Sequence, residues 1–184
     1  MKRLIIGVLL LNCSLLASDV RQGIMSSLGI GFGNVKSTLE GSGKNDTPSG
    51  LLMVKFGYGF TDNFVGFIEG SHSDNTIVVD GKNVNISQES VGIGATYYLW
   101  ANSFSPFVSA YAGSLDHRIE SAIKPYSSSH SLGDLWKLGA GCEYKQWFFQ
   151  LDYINAKSEI IDSRGVFGSI GYNFHNYWLP FIGR

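Results

Sequence analysis

The sequence is poor in the features that mark most functional classes. Among 184 residues there are 2 cysteines and 4 prolines, and only 16% of residues are charged. Fourteen bases against 15 acids leave a net charge of -1, so no basic face is available to draw in DNA or RNA. No apolar run approaches the 18 or so residues that a membrane helix needs, and no stretch keeps a period of 3.6. Four scattered histidines and so few cysteines give no compact metal-ligand spacing, and neither a metal nor a cofactor is expected. The glycine clusters Gly29-Ile-Gly31-Phe-Gly33, Gly92-Ile-Gly94 and Gly139-Ala-Gly141 fall short of a complete dinucleotide loop. What the chain does have is 23 glycines and 25 aromatics, with 44% hydrophobic residues overall.

The first 18 residues, MKRLIIGVLLLNCSLLAS, combine a basic start, an apolar stretch from Leu4 to Leu11 and small residues at Ala17 and Ser18. This is the pattern of a secretory signal peptide, expected to be cleaved after Ala17 or Ser18. Asn12 stands before Cys13, where a lipid-attachment motif has a small residue, so lipidation is not expected. Cleavage removes Cys13, Lys2 and Arg3, which leaves Cys142 as the single cysteine and 12 bases against 15 acids, a net charge of -3. The remainder, 19 to 184, reads as one domain.

Beyond residue 23 the recurring period is two. Leu52, Val54, Phe56, Tyr58 and Phe60 share one face, opposite Met53, Lys55, Gly57 and Gly59. Val91, Ile93, Ala95, Tyr97 and Leu99 oppose Ser90, Gly92, Gly94, Thr96 and Tyr98. Trp136, Leu138, Ala140, Cys142 and Tyr144 oppose Lys137, Gly139, Gly141 and Glu143, and Val166, Gly168, Ile170, Tyr172 and Phe174 oppose Phe167, Ser169 and Gly171. Weaker segments at about 24 to 36, 64 to 72, 104 to 115 and 148 to 156 bring the count to eight strands. In 64 to 72 both faces are apolar, and charge alone turns Glu69 inward. Short links at 61 to 63, 101 to 103 and 145 to 146 alternate with longer polar ones at 37 to 50, 73 to 87, 116 to 134 and 157 to 164. All the long links therefore fall at one end of an up-and-down barrel. Asp80-Gly81 within the second predicts a hairpin and a protruding ribbon. The stretch from Pro125 to Ser131 predicts the most mobile link.

A soluble barrel would need a charged exterior. Here the second face is Gly, Ser and Thr, suited to a narrow lumen, while the apolar faces of the clearer strands carry no charge. Lys55, Lys137, Glu143 and Asp152 fall on the small-residue face. With Glu69 they are expected to form an interior ion-pair network, because buried charges require partners. Tyr58, Phe60, Tyr97, Tyr98, Trp100, Tyr144, Trp147, Phe148, Tyr172 and Phe174 gather at the short-link end, as a membrane-interface aromatic girdle would.

From residue 23 to 174 this pattern, with the last-strand run GVFGSIGYNF, resembles the eight-stranded outer-membrane barrels of Gram-negative bacteria. These include the transmembrane domain of outer membrane protein A and the opacity and adhesion/invasion surface barrels. The resemblance implies an all-β, eight-stranded antiparallel up-and-down transmembrane barrel in the cell outer membrane. Its partners would be outer-membrane lipid and lipopolysaccharide, the assembly machinery and an extracellular ligand reached through the loops. Its role would be structural or one of surface contact, such as adhesion or defence, without catalysis. Unlike that family, this chain continues past Phe174 through a tail, 175 to 184. Two alternatives stand beside this reading. Some small outer-membrane barrels modify lipid A with a His, a Ser and an acid, for which His72, Ser73 and Asp74, with His117, Glu120 and His130, are the candidates. Adjacent strand residues diverge, however, so His72 and Ser73 need a bulge to meet. The other alternative is a small channel past Lys55, Lys137 and Glu143. Eight strands leave a lumen that side chains fill, which argues against an open pore.

Overall fold

In the computed structural model the described residues are 21 to 39, 44 to 79, 82 to 120, 129 to 159 and 161 to 175. The predicted signal peptide, the tail after His175, and the link residues Asp80-Gly81 and 121 to 128 lie outside them. The strands are β1 (Gly23–Leu39), β2 (Lys44–Gly59), β3 (Phe64–Val79), β4 (Lys82–Tyr98), β5 (Phe104–Glu120), β6 (Ser129–Tyr144), β7 (Trp147–Ser158) and β8 (Ile161–His175). Each pairs antiparallel with its sequence neighbour, and β1 pairs with β8, so the sheet closes on itself. Closure leaves no unpaired edge.

The strands run further than the hydrophobic pattern foretold. The long links expected at 37 to 50, 73 to 87, 116 to 134 and 157 to 164 are largely strand, and the gaps between strands shrink to 40–43, 80–81, 121–128 and 159–160. The β3–β4 ladder continues to Val79↔Lys82. Backbone hydrogen bonding does not require an apolar face, so the ribbons persist where the side chains turn polar. His130 and Ser131, expected in a mobile link, lie in β6.

Period two divides every strand between lumen and exterior. Outside, Ile30, Ile68, Val91, Ile93, Leu138, Leu151 and Val166 are each more than half exposed. Above them, towards the long-link end, the outward residues become Lys36, His72, Asp74, Glu89, Asp116, Arg118, Asp134, Lys157 and Arg164. Among the described residues no outward Lys, Arg, Asp or Glu lies between that level and the short-link aromatics. Phe32, Trp136 and Tyr153 sit at the upper border of the apolar zone, with the Trp136 and Tyr153 rings 5.5 Å apart. From Trp136 down to Tyr144 is eight residues of tilted strand, roughly 20 Å of height.

Inside, Met53, Leu115, Leu135, Phe148 and Phe167 fill the lumen, and glycines make room for them. Gly92 of β4 faces Gly113 of β5. A Cβ at Gly92 would come within 2.3 Å of the Ala112 carbonyl oxygen and 2.4 Å of Gly113 Cα, so this crossing admits no side chain. We expect Gly92→Val to destabilise the barrel by about 1–3 kcal/mol through overpacking. Urea unfolding in lipid vesicles would show this as a lower midpoint; an unchanged midpoint would mean that the strands can separate at no cost.

Candidate functional site

The chemically distinctive groups lie in three levels inside the barrel and on one patch outside it. At mid-height, Glu69 on β3 is 3% exposed and receives two ammonium groups. Lys55, its register partner on β2, approaches Glu69 Oε2 at 3.4 Å, and Lys137 from β6 donates to Oε1. Lys137 also donates to Ser71 Oγ at 3.2 Å and sits 4.6 Å from the Tyr111 ring centre. Gln150 on β7 links this pair of bases to Asp152: its carbonyl accepts from Lys55 at 3.4 Å, while its amide donates to Asp152 and to Ser109. Two lysines thus balance two carboxylates across the middle of the barrel. Such a layer is worth its desolvation cost only when complete, because removing one partner strands a buried charge.

The lower level lies at the short-link mouth. Glu143, expected with the lysines, is one strand-end away from them and 1% exposed. Its partner is Arg21, which lies just ahead of β1. Nε and Nη2 of Arg21 donate to Glu143 Oε1 at 3.1 and 2.9 Å. Tyr98 donates to Glu143 Oε2 at 3.0 Å, and Asn173 donates to the same oxygen. Tyr98 therefore faces the lumen, 3% exposed, rather than the exterior girdle. Phe148, also 3% exposed, is displaced from the girdle for the same reason: each is an odd step out of phase with its outward neighbour. The remaining aromatics of that set, Tyr58, Phe60, Tyr97, Trp100, Tyr144, Trp147, Tyr172 and Phe174, are exposed or half-exposed at the short-link end. Several touch, as Trp147 and Tyr172 do at 5.2 Å.

The upper level combines aliphatic side chains with small buried polar ones, Ser37 and Ser163 among them, whose hydroxyls are 3.0 Å apart. Val84, Ile86, Leu115, Ile119, Leu135, Ala156 and Ile161 are all at most 3% exposed. Among these levels' residues His117 is fully buried, with Nε2 3.3 Å from Gln88 Oε1 and Nδ1 3.0 Å from Ser158 Oγ. An amide oxygen can only accept, so Nε2 carries the ring proton and Nδ1 accepts from the serine hydroxyl. Burial pushes the imidazole down to about 4, opposed by the neighbouring Asp116 carboxylate. Its outward neighbours Asp116 and Arg118 place this level above the apolar belt.

On the exterior above the belt, His72 Nε2 lies 3.0 Å from Asp74 Oδ2, and Glu89 stands 3.9 Å from Nδ1. Arg118 joins Glu89 at 3.3 Å and Asp116 at 3.4 Å. Ser73 points the other way and lines a lumen cavity with Ser71 and Lys137. The β3 strand has no bulge to reunite Ser73 with His72. His117 is inside the barrel, apart from this patch; the Glu120 and His130 side chains fall outside the described residues. No cluster of His, Cys, Asp and Glu suited to a metal ion occurs among the described residues.

Arg21 and Gln150 were not singled out by the sequence. Arg21 carried a signal: it stands in lumen phase with Gly23 and Met25 and is the sole base between the leader and Lys36. Gln150 carried none, being an uncharged residue in a weak strand.

No family model matches the chain, and no curated protein matches it in sequence. Solved structures do match. The attachment invasion locus protein Ail of Yersinia pestis, solved with the heparin analogue sucrose octasulfate, aligns at a TM-score of 0.59 and 16% identity over 83% of this chain and all of that one. Neisserial surface protein A aligns at 0.59 and 15% identity over 88% of this chain and all of that one. The outer-membrane enzyme PagL aligns at 0.54 and 14% identity over 78% and 97% respectively. The fold is that of the small outer-membrane barrels. Because the outer-membrane barrel fold includes an enzyme as well as surface proteins, shared architecture leaves the activity open.

Two outcomes follow from the lumen. Glu69→Gln should destabilise the barrel by about 3–5 kcal/mol, since two ammonium groups lose their shared carboxylate; Lys137→Met combined with Glu69→Leu should recover part of that loss. Equal stability of Glu69→Gln and wild type in urea unfolding would contradict the pairing. His117 is neutral when folded, whereas the unfolded chain takes up a proton near pH 6.5. Its stabilising contribution is therefore complete above that value and declines as pH falls towards about 4, by up to about 3 kcal/mol. His117→Gln should flatten stability across this window relative to wild type, and parallel curves for the two proteins would refute it.

Proposed function

We propose that the chain is an integral outer-membrane barrel of a Gram-negative bacterium, exported by a signal peptide and inserted by the assembly machinery, that presents its long-link end to the outside. The single observation that carries the reading is the closed exterior belt, apolar and uncharged over roughly 20 Å and bordered by aromatics. Water has no claim on such a surface, whereas lipid does. Charged outward residues begin where lipopolysaccharide headgroups would lie. Hydrophilic ribbons such as β3–β4 continue beyond, and there an extracellular partner would be met.

Within this reading the role is structural or one of surface contact, of the adhesion or defence kind, and not transport. Support comes from the lumen, where a buried arginine knot, a charged layer and a closely packed upper layer succeed one another from the short-link mouth upward. Catalysis on lipid A is the second reading, favoured only by the His72, Asp74 and Glu89 grouping above the belt. It lacks the expected hydroxyl, because Ser73 is turned inward; the outward serine opposite Asp74 is Ser87.

Two measurements test these statements. Leu138, in the belt and 56% exposed, should face lipid, which admits a leucine there but not a charge. Leu138→Arg is expected to cost about 2–4 kcal/mol in bilayers, and a variant as stable as wild type in vesicles would contradict membrane burial. For the role, cells displaying the full chain should adhere to host-cell matrix better than cells displaying a chain with residues 76–85 shortened to a tight turn. Equal adhesion with undiminished display would refute contact through that ribbon, and loss of lipid A deacylation in His72→Ala would instead support the enzyme.

A further inference from the structure

The short-link mouth is built around one side chain. Arg21 is 3% exposed although it precedes the first strand, and its guanidinium makes four hydrogen bonds. Beyond the two bonds to Glu143, Nη1 donates to the Asp62 carbonyl at 3.3 Å and Nη2 to the Asn102 carbonyl at 3.4 Å. Its Cζ lies 3.9 Å from the centre of the Tyr98 ring. Those acceptors come from the β2–β3 turn, the β4–β5 turn and the end of β6. Glu143 is itself held in place by Tyr98 and Asn173, and Asn173 is bonded in turn by Ser27 at 2.6 Å. The backbone fits as closely, because a Cβ on Gly59 would fall 1.7 Å from the Arg21 carbonyl oxygen. Directly above lies a lumen cavity of about 20 Å³, the room of a single water, bordered by Ser27, Lys55, Thr96, Tyr98, Gln150 and Asn173.

A carboxylate, two converging carbonyls and an aromatic face are the donor-poor, planar surroundings that suit a guanidinium and no other common cation. An ammonium is a compact, strongly hydrated charge and cannot span the same acceptors as a planar fork. We propose that this mouth is a guanidinium receptor whose resident ligand is Arg21, so that Arg21, just ahead of β1, is the plug between the lumen and the periplasm. The receptor is assembled from turns and strands up to 152 positions along the chain, so it is complete only when β8 has closed on β1. The plug is therefore seated last, and what it holds shut is the lower cavity.

The test uses the full chain in lipid vesicles, with Cys142→Ala as background and Thr96→Cys as reporter in the lower cavity. A small water-soluble thiol reagent should modify this cysteine slowly when Arg21 is present. Arg21→Ala should accelerate modification roughly tenfold, and millimolar guanidinium chloride, unlike equal potassium chloride, should restore the slow rate. Arg21→Lys should also react fast, and it keeps a positive charge should Arg21→Ala fail to fold. Ser131→Cys, at the opposite mouth, should be indifferent to all of these. Unchanged reactivity of Thr96→Cys in both Arg21 variants would overturn the plug. Equal rescue by potassium and guanidinium would overturn the receptor.

Discussion

A closed sheet of eight strands encloses too little space for an ordinary hydrophobic core, and too much to be left empty. Every inward side chain must therefore fit against those of the other strands, and every inward charge must find its counter-charge across the axis, since water cannot enter in bulk to solvate it. This constraint shapes the molecule. Glycines such as Gly94 and Gly113 vacate the wall where Phe67 and Tyr111 need room, while Lys55, Lys137, Glu69 and Asp152 share one level. With the interior absorbing the polar groups, the apolar half of each strand is left for the exterior.

The inversion has consequences for recognition. In a soluble protein the loops and the core divide function from stability; here the interior stabilises, the belt chooses the solvent, and only the ribbons above the belt are free to meet a partner. Those ribbons carry most of the outward charge, with bases and acids interleaved along neighbouring strands, as in the Arg118, Glu89 and Asp116 series. Their mixed sign agrees with the small net charge and offers no single-sign field to steer a polyanion.

The architecture was legible from the sequence because period two is a local property: Leu52 to Phe60 and Val91 to Leu99 declare their outward faces without reference to anything distant. Strand ends were not legible, since pairing beyond the belt depends on the neighbour's backbone rather than on hydrophobic alternation. Tyr98 stands on the inward face by alternation and among the girdle aromatics by ring type, and the structure follows alternation; Phe148 lies in a weaker strand whose phase is not plain in the sequence. Partner choice inside the lumen was the least accessible. Glu143 and Lys137 are six residues, three pleat repeats, apart on one strand, and only three-dimensional register shows that Glu143 belongs to Arg21.

The central claim is that lipid, not water, surrounds the belt of a closed barrel. Its most direct test is fractionation of a Gram-negative host expressing the full-length chain, followed by electrophoresis in SDS with and without boiling. A band in the outer-membrane fraction whose mobility changes on heating is the expected result. A soluble periplasmic protein with the same mobility under both conditions would contradict the account.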